Sequence, residues 1–236
     1  MNAKTRITIG ASWDGGDYYS PEYVNRLYRA CQRNTTIPFD FVLYVGPLAE
    51  RPGRCGEIDK TIRIVPVGLP TWWSQLKFWQ ANPPGIETDT ILYLDIDQVI
   101  VGSLDDLINF DSDHACMKDY PSRSCPPGRE GDANNSTGLI RKNGGAKVWK
   151  EYVKAGMPTW SPLVRPGQQP LPMAGITIIN DPARGIKYDL FPEEWVASYK
   201  LEVLPNGVPE DCRVVSFHGR PKPHEVDFPW VKEHWR

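Results

Sequence analysis

One apolar run in the middle of the chain constrains the fold more than any other feature. Residues 91–101 read ILYLDIDQVIV, which is apolar enough for a buried strand, yet Asp95 and Asp97 interrupt it. Strand side chains alternate between two faces, so these carboxylates can point the same way only on the strand or at its immediate exit. Two like-oriented carboxylates repel each other and are costly to bury unless a cation lies between them.

The two acids therefore predict a divalent metal site at the end of a strand. Carboxylate oxygens suit Mg²⁺ or Mn²⁺, which in phosphate chemistry binds one or two protein carboxylates together with the substrate's phosphate oxygens. The carboxyl edge of a parallel sheet is also where open α/β folds bind ligands. The alternative is that this D-x-D motif ends a strand and both acids are solvated in a turn. The apolar residues on both sides of the motif favour the metal site.

Strands and helices alternate along the rest of the chain. Strands are predicted at residues 6–12, 39–45, 61–67, 114–119, 136–142, 194–200 and 213–219, and helices from Ser20, across 71–80 and from about Asn143. In the first helix Tyr23, Leu27 and Cys31 fall four residues apart and form one apolar stripe. This alternation predicts an α/β fold with a mostly parallel sheet covered on both faces. The length of 236 residues predicts one domain spanning 1–236.

Composition excludes several classes of partner. Lys plus Arg is 27 and Asp plus Glu is 29, so there is no overall basic field to hold nucleic acid or an anionic membrane. The five cysteines are scattered without a C-x-x-C pair, which is typical of reduced thiols. No apolar stretch approaches the length of a transmembrane helix, and the first residues lack the pattern of a signal peptide. We therefore expect a cytoplasmic protein with no transmembrane segment.

A second polar group follows a late apolar run, VVSFHGRPKPHEV, at residues 214–226. His218 ends the predicted strand, and Lys222 follows four residues later. A neutral imidazole is a good third ligand for Mn²⁺, and a lysine can contact a diphosphate as a point charge. The alternative is a histidine hydrogen-bonded at a strand end, followed by a basic turn that faces water. The residues alone leave both interpretations open.

With both segments in view, the chain resembles the family 8 glycosyltransferases of the GT-A fold. The resemblance is carried by the D-x-D motif with its VGSLDDL tail and by the His-Gly-Arg-Pro-Lys-Pro turn, in that order. Further similar segments are YVNRLYRAC, TWWSQLKFW, NNSTGLIRK, GQQ and LFPEEWVASYK. The resemblance implies a GT-A-type, Rossmann-like, mostly parallel mixed sheet flanked by helices. It also implies a transferase that moves a hexose from a nucleoside-diphosphate sugar, with a UDP-sugar favoured.

The resemblance also implies roles for particular residues. Asp95, Asp97 and His218 would hold Mn²⁺ or Mg²⁺ against the diphosphate, with Ile96 between the acids beside the donor and Lys222 on the diphosphate itself. The exit of the first strand would line the base and ribose, at Ala11, Ser12 and Trp13. Asn135 would face the donor sugar and the acceptor, which by the same resemblance is a glycan or a lipid-linked precursor.

Two positions depart from the family pattern, and both lose a charge. Gln75 stands where family members often carry a basic residue, for which Lys77 is the candidate replacement. Gln168, followed by Gln169, stands where the family has an acid in G-D-Q. An amide can hydrogen-bond a sugar hydroxyl but cannot act as a nucleophile. The resemblance therefore implies retention by attack on the same face, without a covalent intermediate.

Three other functions compete with a glycosyltransferase. A haloacid-dehalogenase-type phosphatase also places D-x-D after an apolar strand, with the first acid as nucleophile. That motif normally lies on the first strand and requires a later acidic pair, whereas this chain has His218 and Lys222. The losses of charge at Gln75 and Gln168 favour instead a nucleotide-sugar-binding protein of the same fold with little turnover. A purely structural protein conflicts with the polar groups at the strand ends.

Overall fold

The computed structural model describes residues 6–69, 71–120, 133–142, 144–156, 179–180 and 182–236. Within these ranges the strands are β1 (Ile7–Trp13), β2 (Phe39–Val45), β3 (Arg63–Pro66), β4 (Thr90–Leu94), β5 (Gln98–Ile100), β6 (His114–Lys118), β7 (Ala133–Arg141), β8 (Asp189–Leu190), β9 (Val196–Ser198) and β10 (Val214–Ser216). The α-helices are α1 (Pro21–Asn34), α2 (Asp105–Asn109), α3 (Ala146–Lys154), α4 (Leu204–Asn206) and α5 (Pro229–His234). Helices of other types include the 3₁₀ helix Thr71–Trp79 and the π-helix Tyr199–Val203.

Seven strands form one mixed sheet in the order β3-β2-β1-β4-β7-β6-β8. The pairs β1–β2, β2–β3 and β1–β4 are parallel, whereas β7 runs antiparallel to both β4 and β6. In this sheet β1 pairs with β2 along its whole length, from Ile7 opposite Phe39 to Trp13 opposite Val45. The carboxyl ends of β1, β2 and β4 therefore lie at the same edge of the sheet, where open α/β folds bind ligands. The predicted α/β class with a mostly parallel, mixed sheet is confirmed.

Both faces of this sheet are buried, which explains why its strands read as nearly continuous apolar runs. On β4, Leu92 and Leu94 belong to the hydrophobic cluster that also contains the apolar face of α1. The alternate residues Ile91 and Tyr93 belong to a second cluster, together with residues of α3 and of the 3₁₀ helix Thr71–Trp79. The period of two along the strand thus sends successive side chains into two separate cores.

A second, smaller sheet has the order β5-β10-β9. Its strand β5 runs antiparallel to β10, and β10 runs parallel to β9. The predicted run 91–101 is therefore not one strand, because β4 pairs in the large sheet and β5 in the small one. The main-chain N–H of Asp95 donates to the carbonyl of Ser136, and that of Gln98 donates to the carbonyl of Asp95. The D-x-D motif thus occupies the turn between two sheets.

Other local predictions are confirmed only in part. The first helix buries Tyr23, Leu27 and Cys31, as the apolar stripe predicts. The predicted strand 194–200 is wrong for most of its length, because only the three residues of β9 are extended before the π-helix begins. The helix predicted across 71–80 is a 3₁₀ helix. Among the described residues, no helix has the length and apolar character needed to cross a membrane.

Candidate functional site

Two tyrosine hydroxyls hold the carboxylates of the turn between β4 and β5. The hydroxyl of Tyr93 donates to Oδ1 of Asp95 over 2.7 Å. The hydroxyl of Tyr19, in the loop after β1, donates to Oδ2 of Asp97 over 2.9 Å. Burial and the charge of Asp97 both raise the pKa of Tyr19 above its ordinary value, so its hydroxyl remains a hydrogen-bond donor.

The ammonium group of Lys222 contacts this turn, although Lys222 lies more than a hundred residues away in the sequence. The Nζ atom of Lys222 donates to Oδ2 of Asp97 and, over 2.9 Å, to the carbonyl oxygen of Phe217. The same Nζ lies 5.3 Å from the centre of the Tyr19 ring. The Lys222 side chain is only 5% exposed. Lys222 therefore joins the D-x-D turn to the main chain immediately before His218.

His218 follows β10 by two residues and is held by two contacts. Its Nε2 atom lies 2.7 Å from Oγ of Ser198, at the end of β9. Its ring stacks on Tyr120, with centres 4.1 Å apart and planes inclined by 17°. Burial, followed by the nearby ammonium groups of Lys200 and Lys222, lowers the pKa of His218 to about 4. The imidazole is therefore neutral near pH 7, which is the form that can bind a metal ion.

The charge of Asp95 is only partly compensated in this site. Burial, followed by repulsion from Asp97, raises the pKa of this carboxyl to about 7. The hydrogen bond from Tyr93 and the charge of Lys222 act in the opposite direction without cancelling it. The ionised form of such a carboxyl group is disfavoured beside another carboxylate. A further cation that binds there stabilises it.

The three predicted metal ligands share this site but do not yet converge. Within the described ranges, no three His, Cys, Asp or Glu side chains have the spacing that would hold a metal ion. Instead Asp95, Asp97 and His218 are each held by a neighbouring hydroxyl, and Asp97 also by Lys222. Two carboxylates and a neutral imidazole remain a suitable donor set for Mn²⁺ or Mg²⁺, and the raised pKa of Asp95 shows unbalanced negative charge. The residues present therefore fit a divalent ion.

Asn135 lies beside the acidic turn with an unused side chain. It is only 1% exposed, yet neither its amide nitrogen nor its amide oxygen has a hydrogen-bond partner among the described residues. Its chain neighbour Ser136 accepts the main-chain N–H of Asp95. Buried polar atoms are nearly always paired in folded proteins. The amide of Asn135 thus has unused hydrogen-bonding capacity beside the acidic turn.

Several predicted donor-binding residues are placed differently. The side chains of Ala11, Trp13 and Ile96 are buried in the hydrophobic core, so only their main-chain atoms remain available to a nucleotide. Ser12 is partly buried, and its hydroxyl lies close to that of Tyr93. The ammonium of Lys77 lies 4.7 Å from the centre of the Trp149 ring on α3. The predicted residues Gln168 and Gln169 lie outside the described residues.

Two cavities flank the site. A cavity of about 320 Å³ lies beside Tyr120, lined also by Asp119, Pro192 and Glu202. On the other side, a wider groove of about 770 Å³ runs between the start of α1 and the C-terminal segment, past Tyr18, Tyr23, His224 and Trp235. The loop after β1 closes on the basic turn here, because the guanidinium of Arg220 lies 5.3 Å from the centre of the Tyr18 ring.

Four residues of the site were not predicted from the sequence: Tyr19, Tyr93, Tyr120 and Ser198. Tyr93 carried a usable signal, because it lies near the end of β4 and precedes Asp95 by two residues, the spacing of side chains on one face of a strand. The other three come from distant segments that only the fold brings to the acidic turn and to His218.

Solved glycosyltransferases share this fold. The galactosyltransferase LgtC, in a complex with donor and acceptor sugar analogues, aligns with a TM-score of 0.60 and 15% identity, over 92% of this chain and 89% of that one. The glycosyltransferase GlyE of Streptococcus pneumoniae aligns with a TM-score of 0.59 and 13% identity, over 98% of this chain and 59% of that one. The bifunctional glycosyltransferase WbbM aligns with a TM-score of 0.59 and 13% identity, over 98% of this chain and 51% of that one.

These similarities confirm the predicted GT-A fold. This chain accounts for only slightly more than half of the length of GlyE and of WbbM. No protein-family model and no curated protein sequence matches the chain.

Proposed function

We propose that this chain is a metal-dependent glycosyltransferase that moves a hexose from a nucleoside-diphosphate sugar to a hydroxyl group. A UDP-sugar is the favoured donor, and a glycan or a lipid-linked precursor is the favoured acceptor. One observation carries the proposal: in a GT-A fold, a half-buried D-x-D turn at the ligand-binding edge of the sheet contacts Lys222 and lies near His218. The free cysteines among the described residues agree with a cytoplasmic location.

In this proposal Asp95, Asp97 and His218 hold Mn²⁺ or Mg²⁺, and Lys222 contacts the diphosphate. Cleavage of the bond between the sugar and the nucleoside diphosphate builds negative charge on the leaving phosphate. The bound ion would supply positive charge there, and the ammonium of Lys222 adds to it. Because that charge is greatest in the transition state, both groups stabilise the transition state more than the ground state.

The sugar side of the reaction is assigned to amide groups. Asn135 has both polar atoms of its buried amide unpaired, so it can donate to one sugar oxygen and accept from another hydroxyl. Gln168 and Gln169 would add similar contacts. None of these amides can form a covalent bond to the sugar, so we propose retention of configuration through attack on the face from which the leaving group departs. The main chain at residues 11–13 would hold the base and ribose.

A thermal-shift panel tests donor binding. Nucleoside diphosphates and their sugars are added with and without Mn²⁺, and a binder of the folded state raises the melting temperature by mass action. UDP and UDP-sugars with Mn²⁺ are expected to raise it, and Asp97→Ala is expected to remove the effect. Asp89→Asn is the matched control, because Asp89 is a largely exposed carboxylate. A panel with no shift for any nucleotide and metal would refute the proposal.

Hydrolysis of the donor separates an enzyme from a binding protein. Slow release of UDP from a UDP-sugar, lost in Asp97→Ala, would establish turnover. Metal-dependent binding without hydrolysis over a long incubation would instead favour a nucleotide-sugar-binding protein. The buried amide of Gln75, at a position where a basic residue was expected, supports that alternative. Phosphate release from a simple phosphomonoester tests the phosphatase alternative, which the GT-A fold disfavours.

A further inference from the structure

The acidic turn already contains a cation of the protein itself. The ammonium of Lys222 donates to Oδ2 of Asp97 and to the carbonyl of Phe217, and it lies near the face of the Tyr19 ring. Oδ2 of Asp97 also accepts the hydroxyl of Tyr19. Burying an ammonium is costly unless it is paired and hydrogen-bonded, and here three neighbours provide that compensation. Lys222 is thus held in place on Asp97 and does not extend into solvent.

This arrangement conflicts with metal binding at the same carboxylate. A dication bound by Asp97 would lie within a few ångströms of the Lys222 ammonium, and two positive charges at that distance repel strongly in a partly buried site. The Oδ2 atom is also the acceptor of two hydrogen bonds that the metal would have to replace. A metal ion arriving alone must therefore displace Lys222 from Asp97 within a buried region, where the nearby carboxylate of Asp95 is a proposed ligand of the same ion.

A diphosphate removes the conflict. Its oxygens offer the ammonium a new anionic partner, and the long flexible stem of lysine allows the group to change partners. We propose that Lys222 is the counter-ion of Asp97 in the nucleotide-free protein, and that it leaves Asp97 for the diphosphate only when metal and nucleotide bind together. This inference rests on the proposed function. It predicts that Mn²⁺ alone binds weakly and that Mn²⁺ and UDP strengthen each other's binding.

The test measures Mn²⁺ binding to the full chain by calorimetry or by the electron paramagnetic resonance of free Mn²⁺, with and without UDP. Lys222→Met keeps the length and the apolar stem but removes the charge. We expect it to bind Mn²⁺ about tenfold more tightly than the wild type when UDP is absent. We also expect UDP to strengthen Mn²⁺ binding less in this variant than in the wild type.

Two controls separate this effect from a general change in charge. Lys222→Arg keeps a cation beside Asp97 and is expected to bind Mn²⁺ alone more weakly than Lys222→Met does. Lys200→Met removes a positive charge that also acts on His218. The ammonium of Lys200 is not among the described contacts of Asp97, so the effect on Mn²⁺ binding is expected to be about twofold or less. If Lys222→Met does not fold, Lys222→Gln removes the same charge and can still donate to the Phe217 carbonyl.

The outcomes distinguish the two proposals. Unchanged or weaker binding of Mn²⁺ alone to the neutral variants, in a protein whose wild type binds Mn²⁺ with UDP, overturns the role of Lys222 and leaves the proposed function intact. Equal gains in Lys222→Met and Lys200→Met overturn it as well, because the effect would then be a general one. If no form of the protein takes up Mn²⁺ even with UDP, the proposed function fails and this inference fails with it.

Discussion

Two histidines of this chain have nearly the same pKa in different surroundings. Burial lowers the pKa of His114 to about 4, as it does for His218. The hydrogen-bond partners of His114 are neutral: its Nε2 atom accepts the indole N–H of Trp79 over 3.1 Å, and its Nδ1 atom donates to the carbonyl of Lys187 over 3.2 Å. An indole nitrogen can only donate, so this tautomer is the one that satisfies both partners. Both ring nitrogens of His114 are thus committed.

The surroundings of His218 are charged. The ammonium groups of Lys200 and Lys222 lower its pKa, and Asp97 acts in the opposite direction. Its neighbour Ser198 has a hydroxyl that can serve as donor or acceptor and also accepts the main-chain N–H of Leu201. The comparison teaches that a lowered pKa alone does not identify a functional histidine. Two ring nitrogens committed to neutral partners indicate a structural role, whereas a ring held by an exchangeable hydroxyl among nearby charges indicates a site that can receive a ligand.

The largest expected effect concerns stability in acid. The pKa of His114 in the folded protein, about 4, lies below its ordinary value of 6.5. Between these pH values the unfolded chain binds a proton that the folded chain does not, so this contribution to stability is complete above pH 6.5 and is lost as pH falls towards 4. The separation of the two values corresponds to about 3 kcal/mol. Urea unfolding at a series of pH values measures it.

His114→Gln is the comparison variant for this experiment, because an amide can accept from Trp79 and donate to Lys187 without titrating. Its free energy of unfolding should fall less than that of the wild type between pH 7 and pH 4. If the free energy of unfolding fell equally in the two proteins, protonation of His114 would not be coupled to unfolding.

The next effect concerns metal binding. His218→Gln is expected to weaken the binding of Mn²⁺ in the presence of UDP by about 10–100-fold, because it removes a proposed ligand. His114→Gln should leave this binding within about twofold, since both nitrogens of His114 are committed to neutral partners. Calorimetric titration of the two variants measures the difference. Similar losses in both would remove the distinction drawn between the two histidines.

A smaller effect is expected from two buried tyrosines. Tyr93→Phe removes the hydroxyl that donates to Asp95, and Tyr44→Phe removes one that donates to the carbonyl of Pro84 over 2.8 Å. Each loss should lower the free energy of unfolding by about 1 kcal/mol. Only Tyr93→Phe should also weaken Mn²⁺ binding with UDP, by up to about tenfold. If Tyr44→Phe weakens it as much, the hydroxyl of Tyr93 does not position Asp95.

The smallest effect is a response to salt. Salt screens the charges of Lys200 and Lys222, which lower the pKa of His218 more than Asp97 raises it. High ionic strength should therefore raise the pKa of His218 by a few tenths, roughly the size of screened surface interactions. The pKa of His114 should not rise, because the charge that acts on it, that of Asp189, raises its pKa, and screening that charge can only lower it. Titration of the imidazole proton resonances by NMR at low and high salt would contradict this view if both histidines shifted equally.

Much of the fold and part of the site were accessible from local pattern. The apolar run before Asp95 predicted a buried strand with a polar exit, and the stripe of Tyr23, Leu27 and Cys31 predicted α1. The break between β4 and β5 was not accessible, because each half of the run is equally apolar and only the pairing partners assign them to different sheets. The core positions of Ala11, Trp13 and Ile96 could not be distinguished from ligand-facing positions either, because only packing against distant segments buries them.

By itself the sequence determined which segments are buried, where polar groups interrupt them and that the chain adopts an α/β fold, because burial and alternation act between residues close in the chain. Only the tertiary structure decided which groups meet at those interruptions. The contact of Lys222 with Asp97 spans 125 positions of the sequence, and that of Tyr19 with Asp97 spans 78. Such contacts depend on strand order and on pairing between distant segments, which no local spacing encodes.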